Sequence, residues 1–133
     1  MALVTIASDA SVDTVSAQTA PQRAGLVAGE ALLAFAPCVL KSDGLVYMSN
    51  GTAADANAQF DGFTPRAYAS GDTNVTLLGI GTRMRYAASG LVPGAKLYIG
   101  ATAGRLDTAA TTGDAVGVAK AYSATDIRVT RDA

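Results

Sequence analysis

One eight-residue phrase occurs twice in the sequence, Gly25-Leu26-Val27-Ala28-Gly29-Glu30-Ala31-Leu32 and Gly90-Leu91-Val92-Pro93-Gly94-Ala95-Lys96-Leu97, with five of its eight positions identical. Paired glycines supply backbone conformations that a side chain hinders, and Pro93 presets a turn dihedral, so each copy reads as a turn followed by a strand. Each leads into an apolar run, Leu32 to Leu40 and Leu97 to Ile99, then a glycine turn (Ser42-Asp43-Gly44 and Thr102-Ala103-Gly104) and a short return strand. Later, Gly62 to Tyr68 is similar to Gly117 to Tyr122, and each half closes on alternating residues, Asn74 to Leu77 and Asp126 to Val129. Two readings follow: a chance likeness between Gly/Ala-rich β segments, or two related hairpin units, the first enlarged by an insertion near residues 49 to 61. We take the second, which predicts an all-β fold, a small β-barrel or β-sandwich.

At 133 residues the chain is expected to form one domain, with residues 1–24 as an extended arm and 25–133 as a single β domain. Half of the residues are hydrophobic and 16% are charged, against about 25% in ordinary soluble domains, which points to apolar surface covered by a partner or by other copies. Ten basic and eleven acidic residues are scattered singly, without the polybasic stripe that neutralises phosphates, so nucleic acid is not an expected partner. The longest apolar run, Ala31 to Leu40, is interrupted by Pro37 and falls short of the roughly 20 residues of a membrane helix. No basic stretch precedes Asp9 to suggest an export signal, so neither membrane nor secretion is expected.

Along the chain, Leu3-Val4-Thr5-Ile6 alternates and is followed by a polar stretch with no helical stripe. Such a segment is either a floppy terminus or an arm that orders by lying on another surface. Ala31 to Phe35 reads as a strand, Pro37 as an edge or bulge residue, and Leu45 to Met48 as the return strand of a hairpin. Residues 49 to 59 break the pattern as a loop or a short helix near 52–59 capped by Thr52. After a turn at Ser70 to Thr73, a long strand is expected from Asn74 to Ala87. Leu78, Ile80, Met84 and Tyr86 would share its core face, with Arg83 and Arg85 opposite. Gly79 and Gly81 permit a bulge, a sharp bend or close approach of another backbone. On this register Ile80→Asp would bury an unpaired charge and prevent folding. The two arginines suit either a solvated sheet face or ion pairs with a partner's carboxylates. Four short strands follow, Ala95 to Ile99, Arg105 to Asp107, Ala115 to Tyr122 and Asp126 to Arg131.

The sequence offers little chemistry. It has no histidine, which removes His-dependent triads and His-ligated zinc. Glu30 is the single glutamate, and the aspartates sit in turns where side-chain caps of the backbone are the ordinary role. Gly79-Ile80-Gly81-Thr82 lacks the third glycine and the following helix of a dinucleotide loop. Cys38 stands alone in an apolar run, as a buried small hydrophobe does. We therefore expect no enzyme, cofactor, metal or small-molecule substrate.

Taken in order, Gly29-Glu30-Ala31-Leu32, Asp43-Gly44, Gly62-Phe63, Leu91 to Ile99, Ala103-Gly104-Arg105-Leu106 and Val116-Gly117-Val118-Ala119 give a pattern that resembles tailed-bacteriophage capsid cement, or head decoration, proteins over residues 25 to 131. The resemblance implies a compact β domain on the outer surface of the virion capsid, made in the host cytoplasm. It further implies a homotrimer that bridges major capsid subunits, commonly with an amino-terminal arm taking part. Candidate capsid or subunit contacts are then Leu3, Val4, Ile6, Val12 and Val15 on the arm, with Arg83 and Arg85 on the strand. The alternative is a receptor- or glycan-binding module of a phage fibre or tail, which would group exposed aromatic residues in loops.

Overall fold

The structure, a computed structural model, describes residues 3–8, 10–12 and 22–131. Its strands are β1 (Ser11–Val12), β2 (Gln22–Ala28), β3 (Pro37–Leu40), β4 (Leu45–Met48), β5 (Gly62–Phe63), β6 (Val75–Leu78), β7 (Arg83–Arg85), β8 (Lys96–Ile99), β9 (Leu106–Asp107), β10 (Ala119–Ala121) and β11 (Asp126–Val129). Five of them close into a barrel in the order β2-β4-β3-β5-β6, and six form a second sheet in the order β1-β7-β11-β10-β8-β9. The fold is all-β, as the glycine-punctuated short strands predict.

The two units share one plan. Reading the barrel as β4-β3-β5-β6-β2 and the sheet as β9-β8-β10-β11-β7 gives the same succession of neighbours, antiparallel at each step. Phe63 stands opposite both Pro37 and Leu78, as Ala119 stands opposite both Leu97 and Val129. This register makes Pro37 the counterpart of Leu97 and Arg23 the counterpart of Arg83, each pair sixty residues apart. The duplicated phrase is spaced by 65 residues, and it is not the structural repeat. Gly25 to Ala28 run within β2, where Gly25 (φ 76°) occupies a shift of register and the N–H of Ala28 donates to Asp72. Gly90 to Gly94 form the loop and turn ahead of β8, because Pro93 has no N–H to give a ladder.

Closure differs between the units. In the barrel, β2 meets β4 in parallel, Val27 opposite Leu45 and Ala28 opposite Val46. In the second unit the corresponding strands β7 and β9 are not neighbours in the sheet, and the amino-terminal segment spans them. Leu3 bridges Asp107, and the N–H of Val4 donates to the Leu106 carbonyl at 2.9 Å. The N–H of Ala7 then donates to Tyr86, and β1 pairs with β7, Ser11 opposite Arg85 and Val12 opposite Met84. Residues 3–8 and 10–12 thus find partners inside the chain, which corrects the expectation of an arm with nothing to pair with at home.

One core lies on the inner face of the second sheet and the other inside the barrel. The first gathers Met84, Tyr86, Leu97, Ile99, Leu106, Val118, Ile127 and Val129, and draws in Val4 together with Phe35, Phe60 and Phe63 of the first unit. Phe60 and Phe63 meet edge to face, 5.4 Å between centroids, a geometry aromatic quadrupoles favour. The second holds Leu32, Cys38, Val46, Tyr68, Val75 and Leu77. Main-chain bonds lock the two units together: Gly51 donates to Gly100, Gly113 to Gly51 and Gly104 to Ser49, at 2.8 to 3.0 Å. A Cβ at Gly51 would collide with the Ile99 carbonyl and the Thr111 hydroxyl, so glycine is what permits this approach.

Three local expectations are corrected. The strand foreseen from Asn74 to Ala87 is two, β6 in the barrel and β7 in the sheet, separated by a turn at Gly79 to Thr82 in which Ile80 is 42% exposed. The glycines that alternation tolerated are where the chain changes sheet. Ala31 to Phe35 is not a strand: Leu32 makes a single bridge to Tyr68, and Phe35 turns the chain at φ 56° before β3 starts at Pro37, a position where a missing N–H does little harm. The short helix is a 3-10 turn over Ala56–Ala58, capped by Asp55, whose carboxylate accepts from the Asn57 N–H, while Thr52 binds Asn50 and Ala101 instead.

Candidate functional site

Two neighbouring regions carry the residues singled out for contact, the amino-terminal seam and the outer face of the second sheet. On the seam, Leu3 is 40% exposed, Ile6 is half-buried against the core, and Val4 is buried. Val4 therefore faces the protein's own interior and is unavailable to a partner in this arrangement. The main chain of Val12 pairs with Met84, and Val15 lies outside the described residues. Arg83 and Arg85 are half-buried on β7 beside β1, so the structure does bring the arm and both arginines to one edge. The Arg83 Nε donates to Asp126 Oδ2 at 3.1 Å, and its guanidinium lies 4.9 Å from the centre of the Tyr122 ring.

The outer face shows what the linear sequence concealed. Lys96 of β8 stands opposite Lys120 of β10, Lys120 opposite Arg128 of β11, and Arg128 opposite Arg83 of β7. Directly opposed residues share a face, so singly scattered cations become a row of four across the sheet. Lys96, Lys120 and Arg128 are exposed and have no ion-pair partner among the described residues. The nearby acids are occupied. Asp126 holds Arg83 and accepts from the Thr125 hydroxyl. Asp114 is buried and accepts from Arg131 Nη1 and from the N–H groups of Ile99, Val116 and Gly117. Asp107 is buried and accepts from the N–H of Ala109. Beside the row lies a concavity of about 430 Å³ lined by Lys96, Val116, Gly117, Lys120, Thr130 and Arg131.

The first unit has the opposite character. Asp43 and Asp55 are exposed, and half-buried Asp61 lines a second concavity of about 350 Å³ together with Leu40, Lys41 and Phe60. Each of these acids accepts from a main-chain N–H, Leu45 for Asp43, Asn57 for Asp55 and Leu40 for Asp61. These are the turn-capping bonds expected of aspartate. Lys41, the cation nearby, donates to Asn57 at 2.5 Å and lies over the Tyr47 ring.

Among the described residues no cluster of three His, Cys, Asp or Glu side chains could hold a metal ion, and no helix is long and apolar enough to cross a membrane. Cys38 is fully buried, and burial, followed by the negative charge of Glu30, pushes its thiol far above the ordinary range. No protein-family model matches the sequence, and a search of curated proteins finds none similar to it.

The seam was partly legible in the alternation of Leu3 to Ile6. The cationic row was not, because Lys96-x-Tyr98, Lys120-x-Tyr122 and Asp126-x-Arg128 each show period two alone, while their alignment depends on pairing between strands far apart in sequence.

Proposed function

We propose that this protein is a structural virion component, a capsid cement or decoration protein that binds the outside of a phage head and ties neighbouring major capsid subunits together as a homotrimer, without catalysis. The observation that carries this reading is the nature of the exposed apolar side chains. Leu3, Leu33, Leu40, Ile80, Val92 and Val116 are aliphatic, and the last two are each 67% exposed. Aliphatic groups projecting from the turns and edges of a rigid β body suit burial against another protein, at about 25 cal/mol per Å² removed from water. Repetition over a symmetric shell multiplies a modest contact. The glycan-binding alternative calls for grouped exposed aromatics. Among the described residues Tyr122 is the exposed aromatic, while Tyr68 and Tyr86 are buried and Tyr47 and Tyr98 half-buried.

The test is to mix purified protein with heads that lack it. Saturation at a fixed ratio together with a higher temperature of head disruption is the expected result. Failure to co-sediment with heads at any concentration overturns the proposal.

A further inference from the structure

We propose that the cationic row Lys96–Lys120–Arg128 is one half of a head-to-tail interface, and that its occupant is the acidic first unit of a second copy of this chain. The inference concerns association in solution and stands apart from the capsid reading.

Four observations lead to it. First, the row is costly to the isolated fold. Strands lie about 4.8 Å apart, which sets the backbones of the three residues side by side across about 10 Å, and like charges placed directly opposite destabilise a sheet. Second, no described carboxylate relieves it, since Asp126 and Asp114 are ion-paired with Arg83 and Arg131 and Asp107 is buried. Third, charge is segregated by unit although the chain as a whole is near neutral. Residues 22–79 carry Arg23, Lys41 and Arg66 against Glu30, Asp43, Asp55, Asp61 and Asp72, a net of -2. Residues 80–131 carry seven Lys and Arg against Asp107, Asp114 and Asp126, a net of +4. Fourth, each patch pairs a hollow with a projecting aliphatic side chain, Val116 beside the cationic one and Leu40 beside the acidic one.

These features match a contact between unlike faces. The row of one copy meets Asp43, Asp55 and Asp61 of the next, while Val116 and Leu40 enter the opposing hollows. Such a heterologous contact closes into a ring if its rotation permits and otherwise extends as a filament. A polyanion fits less well, because three cations release few counterions on meeting phosphates, and the net charge of -1 provides no long-range attraction.

The experiment is sedimentation velocity of the full-length protein from about 0.05 M to about 1 M salt, over which the Debye length shrinks from over 10 Å to about 3 Å. Wild-type protein should associate at low salt, with a dissociation constant that rises at least about tenfold at high salt. Lys120→Glu should weaken association by at least about tenfold at low salt, yet unfold at a temperature a few degrees higher, because it turns two repulsive cross-strand pairs into attractive ones. A variant carrying Asp43→Lys and Asp55→Lys should also fail to associate alone, and mixing it with Lys120→Glu should restore a complex through reversed pairs. A monomer at every salt concentration overturns the proposal, as does an oligomer indifferent to salt and to Lys120→Glu. Tighter binding of a single-stranded oligonucleotide than of a second copy, abolished by Lys120→Glu, also overturns it by assigning the row to nucleic acid.

Discussion

The guanidinium of Arg105 donates through Nη2 to the carbonyl oxygen of Val4 at 3.0 Å, joining residues 101 positions apart. With Leu3 bridged to Asp107 and Val12 to Met84, this bond makes the amino-terminal segment the seam of the second unit, filling the gap that β2 and β4 close directly in the first. Two copies of one strand plan are therefore completed in two ways, and an apparently spare terminus is part of the core.

It follows that Val4→Ala, which removes two buried methyl groups, should lower stability by about 1–2 kcal/mol. Deletion of residues 1–12 should cost about 3 kcal/mol or more, since it also uncovers Leu106 and Tyr86. Chemical denaturation measures both. A truncated protein as stable as the full chain would show that the segment does not close the sheet.

Ile80 projects from the turn between the two sheets and Met84 is wholly buried on β7, although sequence alternation places them on one face. Ile80→Asp should change stability by no more than about 0.5 kcal/mol. Met84→Asp should prevent folding, because it buries an unpaired charge. Circular dichroism and solubility of the two variants decide the point.

Asp114 gathers three main-chain donors and Arg131 at the start of the loop before β10. Asp114→Asn keeps the shape but places an NH2 group where one carboxylate oxygen accepts, so a loss of about 2–4 kcal/mol is expected. Thermal unfolding would register it, and hydrogen exchange should rise first at Val116 and Gly117.

Asp43 accepts from the Tyr47 hydroxyl at 2.6 Å and from the N–H of Leu45. The Tyr47 bond, first, and the Leu45 bond, second, hold the Asp43 carboxyl below its usual range, and the same bond to Asp43 raises the Tyr47 hydroxyl above its own. The lowered carboxyl contributes stability above about pH 3.9 that fades as pH falls through its folded value. The raised phenol contributes stability below about pH 10 that fades as pH rises through its folded value. In Asp43→Asn the Tyr47 titration, followed by NMR, should move back toward the ordinary tyrosine value. An unchanged Tyr47 titration would show that the pair does not form in solution.

Cys38 offers a check on the barrel core. Its thiol is buried and held in the protonated form, so modification by a disulfide reagent should be limited by unfolding and accelerate in parallel with denaturant. Fast modification of the native protein would place Cys38 at the surface.

By itself the sequence determined the class of fold and the small elements: glycine turns at Asp43-Gly44 and Pro93-Gly94, short alternating strands such as Asp126–Val129, and two units of like plan. These are local matters, settled by dihedral preferences and by side chains that alternate between faces. Tertiary structure decided the rest. It set β2 and β3 sixty residues from their counterparts β7 and β8 where the duplicated phrase suggests 65, divided the run from Asn74 to Ala87 between two sheets, and drew residues 3–8 and 10–12 into a seam. It also aligned Lys96, Lys120 and Arg128. Each of these depends on which strand lies beside which, and that is set by non-local hydrogen bonds and by burial of the core, neither of which leaves a period in the chain.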